Sequence, residues 1–170
     1  LTLGVSIFIY RTILATLLFF FGAEAKATSV LVDANLVNNW AKTINPTADL
    51  RIGSAVVTAA KRHGVSPSLI LAFMQTESMF RTHVVSSEGA TGLMQILPRF
   101  HWRNLEGESP FGVWGNVNAG AAFIKYCQTK SGSSDRAVVK CYTGGYGTPY
   151  LTKIRKARAD FLNFAMTKGR

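Results

Sequence analysis

The chain is short of acid. Its 170 residues include nine Asp and Glu against 19 Lys and Arg, and charged residues of both signs make up only 16% of it. Disorder is excluded by the same composition, because hydrophobic residues reach 48% and suffice for a packed core. Cysteine is nearly absent: Cys127 and Cys141 stand alone, without a CxxC pair or zinc-type spacing. His63, His83 and His101 are scattered and no HExxH occurs, so no metal site and no organic cofactor are expected. The chain also lacks a GxSxG elbow, a phosphate-binding Walker loop and a dinucleotide fingerprint, which removes the common hydrolase, NTPase and dehydrogenase classes. Internal repeats, low-complexity segments and strong strand pairs are missing too, and the length suits one domain.

What is present begins with "LTLGVSIFIYRTILATLLFFFGAEAKATS". Arg11, a short apolar segment and A-x-A sites ending at Ala25 or Ala27 are the parts of a secretory signal peptide, giving a leader over residues 1–27 and a domain over 28–170. The alternative is an uncleaved anchor over residues 1–23, which would hold Arg11 near mid-span at about 2.5–3.5 kcal/mol. Both imply export to a periplasmic or other extracytoplasmic space. An oxidising compartment permits a Cys127–Cys141 disulfide, worth roughly 3 kcal/mol for a loop of about 15 residues; two buried free thiols are the alternative. The net charge of +10 favours a polyanionic partner: nucleic acid, a membrane surface or an acidic polymer.

The body reads as all-α. Apolar spacing predicts helices over 30–44, over Leu50–His63 with Asp49 as cap and Gly64 as stop, and over Pro67–Phe80 after an N-capping Ser66. A Gly/Ser loop precedes a short helical piece, Leu93–Leu97, and residues 99–115 read as loop. Further helices are expected over 116–130, over 136–142 with Ser134 or Asp135 as cap, and from Tyr150 to about Met166, the last carrying a basic face.

Glu77 is the anomaly in this pattern. It ends "LILAFMQTE", with Phe73, Ile70 and Leu69 at i−4, i−7 and i−8 on its own helix face. A carboxyl in such surroundings keeps its proton to higher pH, which suits a general acid; a Glu at a fraying helix end with its head in water is the bland reading. Glycoside cleavage commonly uses two carboxylates, yet Glu88, the nearest in sequence, lies in a Gly/Ser loop.

"ESMF" followed by "SSEGATGLMQILP", then "NVNAG", "CYTGG" and "TPYLTKI", in this order from Glu77 to Ile154, resembles the soluble lytic transglycosylases. The resemblance implies a goose-type lysozyme-like fold and cleavage of the β-1,4 bond between N-acetylmuramic acid and N-acetylglucosamine in peptidoglycan. Glu77 would act first as acid and then as base, while the muramoyl C6 hydroxyl closes a 1,6-anhydro ring, so no second carboxylate is needed. It also implies that Ser78 and Ser86 hydrogen-bond around the carboxylate, and that Gly89 and Gly92 let backbone approach a sugar. Met94 and Gln95 would line the glycan groove. Asn116 and Gly120 match the Asn-aliphatic-x-x-Gly element, Tyr142 the tyrosine near the acid, and Tyr150 a second groove tyrosine.

Three departures stand out: Arg81-Thr82 after Phe80, Thr143 in place of an Asn, and Cys141 in place of an Ala. Cys-Tyr is similar to small members that accompany secretion, conjugation or pilus machines, so such an apparatus is an expected partner beside the glycan strands. A monomer is expected, touching membrane only through its leader or basic surface. Other readings are a muramidase on the same fold and a peptidoglycan-binding module without catalysis. Nucleic acid would account for the charge but leave the leader and GATGLMQ unexplained.

Overall fold

The computed structural model describes residues 31–145 and 147–168, so the expected leader over 1–27 lies outside the described residues. Helices α1 (Ala34–Ile44), α2 (Arg51–His63) and α3 (Pro67–Ser78) lead to an irregular segment with a short α4 (Pro98–His101) and a 3-10 turn (Trp102–Leu105). Then follow α5 (Val113–Ser131), α6 (Asp135–Tyr142) and α7 (Thr148–Lys168). The described residues contain no strand, only isolated bridges joining Val85 to Thr91 and Thr91 to Ile96. The all-α expectation holds.

Helix α3 is central because it is apolar on every side: Leu69, Ile70, Leu71, Ala72, Phe73 and Met74 are all buried. It packs chiefly on α7, which turns Leu151, Ile154, Ala157, Phe161 and Ala165 inward at helical spacing. A second pair, α2 on α5, closes the other side of the core. Trp40 of α1 reaches α7, with its ring 6.0 Å from Phe161 and 5.3 Å from Phe164. Cys127 and Cys141 are joined in a disulfide that ties α5 to α6, their Cα atoms 5.5 Å apart.

Several boundaries differ from the sequence reading for local reasons. Helix α1 starts at Ala34, not near residue 30, because the Asp33 carboxylate accepts the Leu36 N–H at 2.8 Å. Asp49 does serve the start of α2, accepting the Arg51 N–H at 2.8 Å. Ser66 has the extended backbone of a cap, but its hydroxyl pairs with that of Ser68 at 2.7 Å and binds no helix N–H. Of the two proposed caps for α6 it is Ser134 that accepts the Ala137 N–H, at 3.3 Å.

Two expectations fail outright. Leu93–Leu97 is not helical: Thr91 and Ile96 exchange both backbone hydrogen bonds, at 2.8 and 3.2 Å, and Gln95 sits at φ 46°. The segment is a tight reversal whose partners lie on α5. Residues 99–105, part of the stretch 99–115 read as loop, lie in α4 and the 3-10 turn. Pro98 starts α4, while Leu105, buried at its end, packs the turn toward α5.

Helix α3 ends abruptly, before the predicted Phe80. Met79 and Phe80 take φ of 52° and 59°, a left-handed pair without glycine that costs about 1–2 kcal/mol per residue. Burial of Phe80 and two side-chain donors hold it: Arg81 Nε bonds the Ser78 carbonyl at 2.9 Å, and Asn45 Nδ2 the Phe80 carbonyl at 3.2 Å.

Candidate active site

Glu77 sits in the last turn of α3, half-buried. Tyr150, in the first turn of α7, donates its hydroxyl to Glu77 Oε1. Oε2 has no hydrogen-bond partner among the described residues. One turn back on α3, Phe73 underlies both site tyrosines, with ring centroids 4.3 Å from Tyr142 and 6.3 Å from Tyr150. Burial raises the Glu77 carboxyl above its ordinary value of 4.5, and the Tyr150 hydrogen bond offsets part of that rise. Both tyrosine hydroxyls are driven up, first by burial and next by the Glu77 charge, so both remain protonated donors.

Among the described residues no second carboxylate joins them. Asp33 caps α1, Asp49 pairs with Arg51, Glu106 with Arg62, Asp135 with Arg158 and Asp160 with Lys156. Glu108 Oε2 accepts the Gly115 N–H at 2.8 Å in the first turn of α5, and Glu88 is exposed on its loop. Among the described residues no group of acids, His or Cys could hold a metal ion.

Around the acid, the expected residues take roles that spacing did not reveal. Tyr142 does not touch the carboxylate; its hydroxyl donates to the Met94 carbonyl at 2.8 Å. The Ser78 hydroxyl turns away from Glu77 and bonds the Met74 and Leu93 carbonyls at 3.0 and 2.8 Å. Ser86 Oγ accepts the Ala90 N–H at 3.0 Å, bracing a turn rather than the acid. Met94 is fully buried, whereas a groove residue was expected. Gln95 Nε2 is spent on the Val84 and Gly92 carbonyls. Gly89 is exposed at φ 79° with open space where a Cβ would stand.

Asn116 is the structural centre of this loop. Fully buried, it accepts the Met94 N–H at 2.8 Å and donates to the Thr91 and Pro110 carbonyls at 2.9 and 2.7 Å. One turn later Gly120 leaves room for Met94: a Cβ there would stand 2.6 Å from the Met94 side chain. The i, i+4 spacing puts clamp and gap on one helix face. Gly92, at φ 76° beside the Asn116 amide, has no space for a side chain.

A cavity of about 410 Å³ adjoins Tyr142, lined by Gln95, Ile96, Phe100, His101 and Phe123 among others. Phe123 lies between His101 and Tyr142 in tilted ring contacts, with centroids at 4.7 and 5.0 Å. Burial lowers the His101 value, so its ring is neutral at pH 7. Phe100, His101 and Phe123 were missed in the sequence because they follow no period. The density of aromatic residues between Pro98 and Trp114 hints at Phe100 and His101, while Phe123 lies beyond it on α5.

Residues 54–161 match the family model described as the transglycosylase SLT domain, well over half of the chain. The chain belongs to that family. Among relatives of the SLT domain, the membrane-bound lytic murein transglycosylase C of Yersinia enterocolitica is 36% identical over 107 residues, covering 53% of this chain and 30% of that protein. The protein of the same name from Yersinia pestis strain Pestoides F gives the same identity and coverage. The match thus spans under a third of those relatives. The fold is similar to that of an inactive mutant of the lytic transglycosylase Slt from Pseudomonas aeruginosa, with a TM-score of 0.51 at 19% identity over 79% of this chain and 29% of that one. No helix among the described residues is long and apolar enough to cross a membrane.

Two outcomes are expected. Asn116→Ala strands a buried N–H and two carbonyls and should cost about 3 kcal/mol or more in urea unfolding. The folded state holds the Glu77 proton more tightly than the unfolded chain, so ionisation destabilises the fold as pH rises from 4.5 through the raised folded value. Glu77→Gln should therefore raise the thermal midpoint at neutral pH, with the gain vanishing in acid below 4.5.

Proposed function

We propose that the protein is a peptidoglycan lytic transglycosylase, with Glu77 as its single acid and base. The observation that carries this reading is a desolvated carboxyl bonded by a tyrosine hydroxyl, with every other described acid except exposed Glu88 engaged elsewhere. Desolvation keeps the Glu77 proton to higher pH than an exposed glutamate would, which favours its use as a general acid. Because Oε1 accepts from Tyr150, the transferable proton belongs on Oε2.

The steps balance without a second carboxylate. Oε2 gives its proton to the glycosidic oxygen as the bond from the muramoyl anomeric carbon breaks, and the N-acetylglucosamine end leaves as an alcohol. The resulting carboxylate takes the proton of the muramoyl C6 hydroxyl, whose oxygen bonds the anomeric carbon and closes the 1,6-anhydro ring. Glu77 ends protonated, as it began. Tyr150 orients the carboxyl and steadies its charged form between the steps. The aromatic cavity beside Tyr142 supplies a groove wall for sugar faces, with neutral His101 as a polar partner. Action outside the cytoplasm, in reach of the wall, agrees with the disulfide. A secretion or conjugation apparatus as host is the reading that the Cys141-Tyr142 pair favours.

Mass spectrometry of fragments released from purified peptidoglycan tests the reaction. Products one water lighter than hydrolysed ends are expected, and Glu77→Gln should abolish them. Normal-mass reducing ends would mean a muramidase, and wall binding without release a non-catalytic module. Removing the Tyr150 hydrogen bond destabilises the carboxylate, so Tyr150→Phe should move the alkaline limb of the pH–rate profile to higher pH.

A further inference from the structure

The groove wall opens on its far side into a larger hollow. A cavity of about 630 Å³ lies between α5, α6 and the turn after α6, with Phe123, Tyr126, Lys130, Lys140, Cys141 and Gly144 in its lining. Phe123, Cys141 and Gly144 also line the cavity beside Tyr142, so the two spaces share a wall and adjoin.

Their chemistry differs. The inner cavity is aromatic and carries neutral His101. The outer one carries two ammonium groups and no carboxylate. Lys130 and Lys140 form no ion pair among the described residues, whereas Arg51, Arg62, Lys156 and Arg158 each have an acid partner. Lys130 Nζ rests 5.4 Å from the ring centroid of Tyr126, itself half exposed. Lys130 over the Tyr126 ring, with Lys140 in the same concave lining, focuses positive potential where an anion would enter.

Resting on the transglycosylase reading, we infer that this hollow binds the carboxylate-bearing peptide branches of peptidoglycan while the glycan occupies the inner groove. The sugars of the strand are N-acetylated and neutral, so they offer the lysines no partner. The peptide branches leave the muramoyl sugars through their lactyl ethers and end in free carboxylates. Their charge matches Lys130 and Lys140, and their aliphatic parts match Tyr126 and Phe123. The disulfide at Cys141 joins the helices on either side and keeps the hollow's walls together.

Affinity measured by co-sedimentation separates this site from general attraction to an anionic wall. Glu77→Gln protein is mixed with peptide-bearing strands and with strands stripped by an amidase, whose freed lactyl carboxylates are then capped as methylamides so that the stripped polymer carries no anion. The ratio of the two affinities should favour the peptide-bearing polymer. Changing Lys130→Ala with Lys140→Ala should reduce that ratio roughly tenfold, as expected for two partly exposed charge contacts, and the paired Lys→Arg variant should retain it. Lys153→Ala with Arg155→Ala removes equal charge from the exposed face of α7 and should leave the ratio unchanged. Equal affinity for both polymers, or equal loss of ratio from the α7 variant, would overturn the site. Release of anhydro products from stripped strands by the unmodified protein judges the catalytic reading separately, since binding is read on protein that does not cut.

Discussion

A carboxyl group kept from water at the end of the most deeply buried helix sets the terms for the rest of the molecule. Glu77 can stay there only because α3 is apolar all round and because Tyr150 supplies one hydrogen bond to one of its oxygens. Full pairing would hold the group ionised; full exposure would let it ionise at the ordinary glutamate value. The structure sits between these limits, and the cost falls on the ionised fold. The left-handed Met79 and Phe80 add a second local cost, borne by the core packing of Phe80 and the donors of Arg81 and Asn45.

The acid depends in turn on a loop that it does not bond. Met94 is the junction: its N–H goes to Asn116, its carbonyl accepts from Tyr142, and its side chain fills the gap left by Gly120. Tyr142 is thereby locked against Phe73, one turn before Glu77. Four motif positions far apart in sequence thus form one assembly whose visible task is to hold groove wall and acid in register. The contacts these positions make are structural ones, within the loop and between the helices.

Much of this architecture was legible in the chain. The helical body, the buried face of Glu77 and the ordered blocks from "ESMF" to "TPYLTKI" led to the all-α fold and to the family that residues 54–161 match. Of the caps made by a side-chain oxygen, Ser134 was found within a residue, whereas Asp33 was missed. The misses share a cause. Leu93–Leu97 has the composition of a helix turn, but Asn116 competes for its backbone N–H groups and a reciprocal Thr91–Ile96 pair reverses the chain. Residues 98–105 have no period because so short a helix buries only Leu105.

What the sequence determined by itself was which side chains must be inside and which single acid had to go with them, because apolar spacing and the scarcity of carboxylates are properties of composition and order. Which tyrosine meets the acid was a tertiary decision. Tyr142 and Tyr150 are near neighbours in sequence, yet the first ends α6 facing Met94 and the second begins α7 facing Glu77. The packing of α7 on α3 settles the choice, through contacts such as that between Glu77 and Tyr150, 73 positions apart. Local preference carries no information over that distance; the closing of the core does.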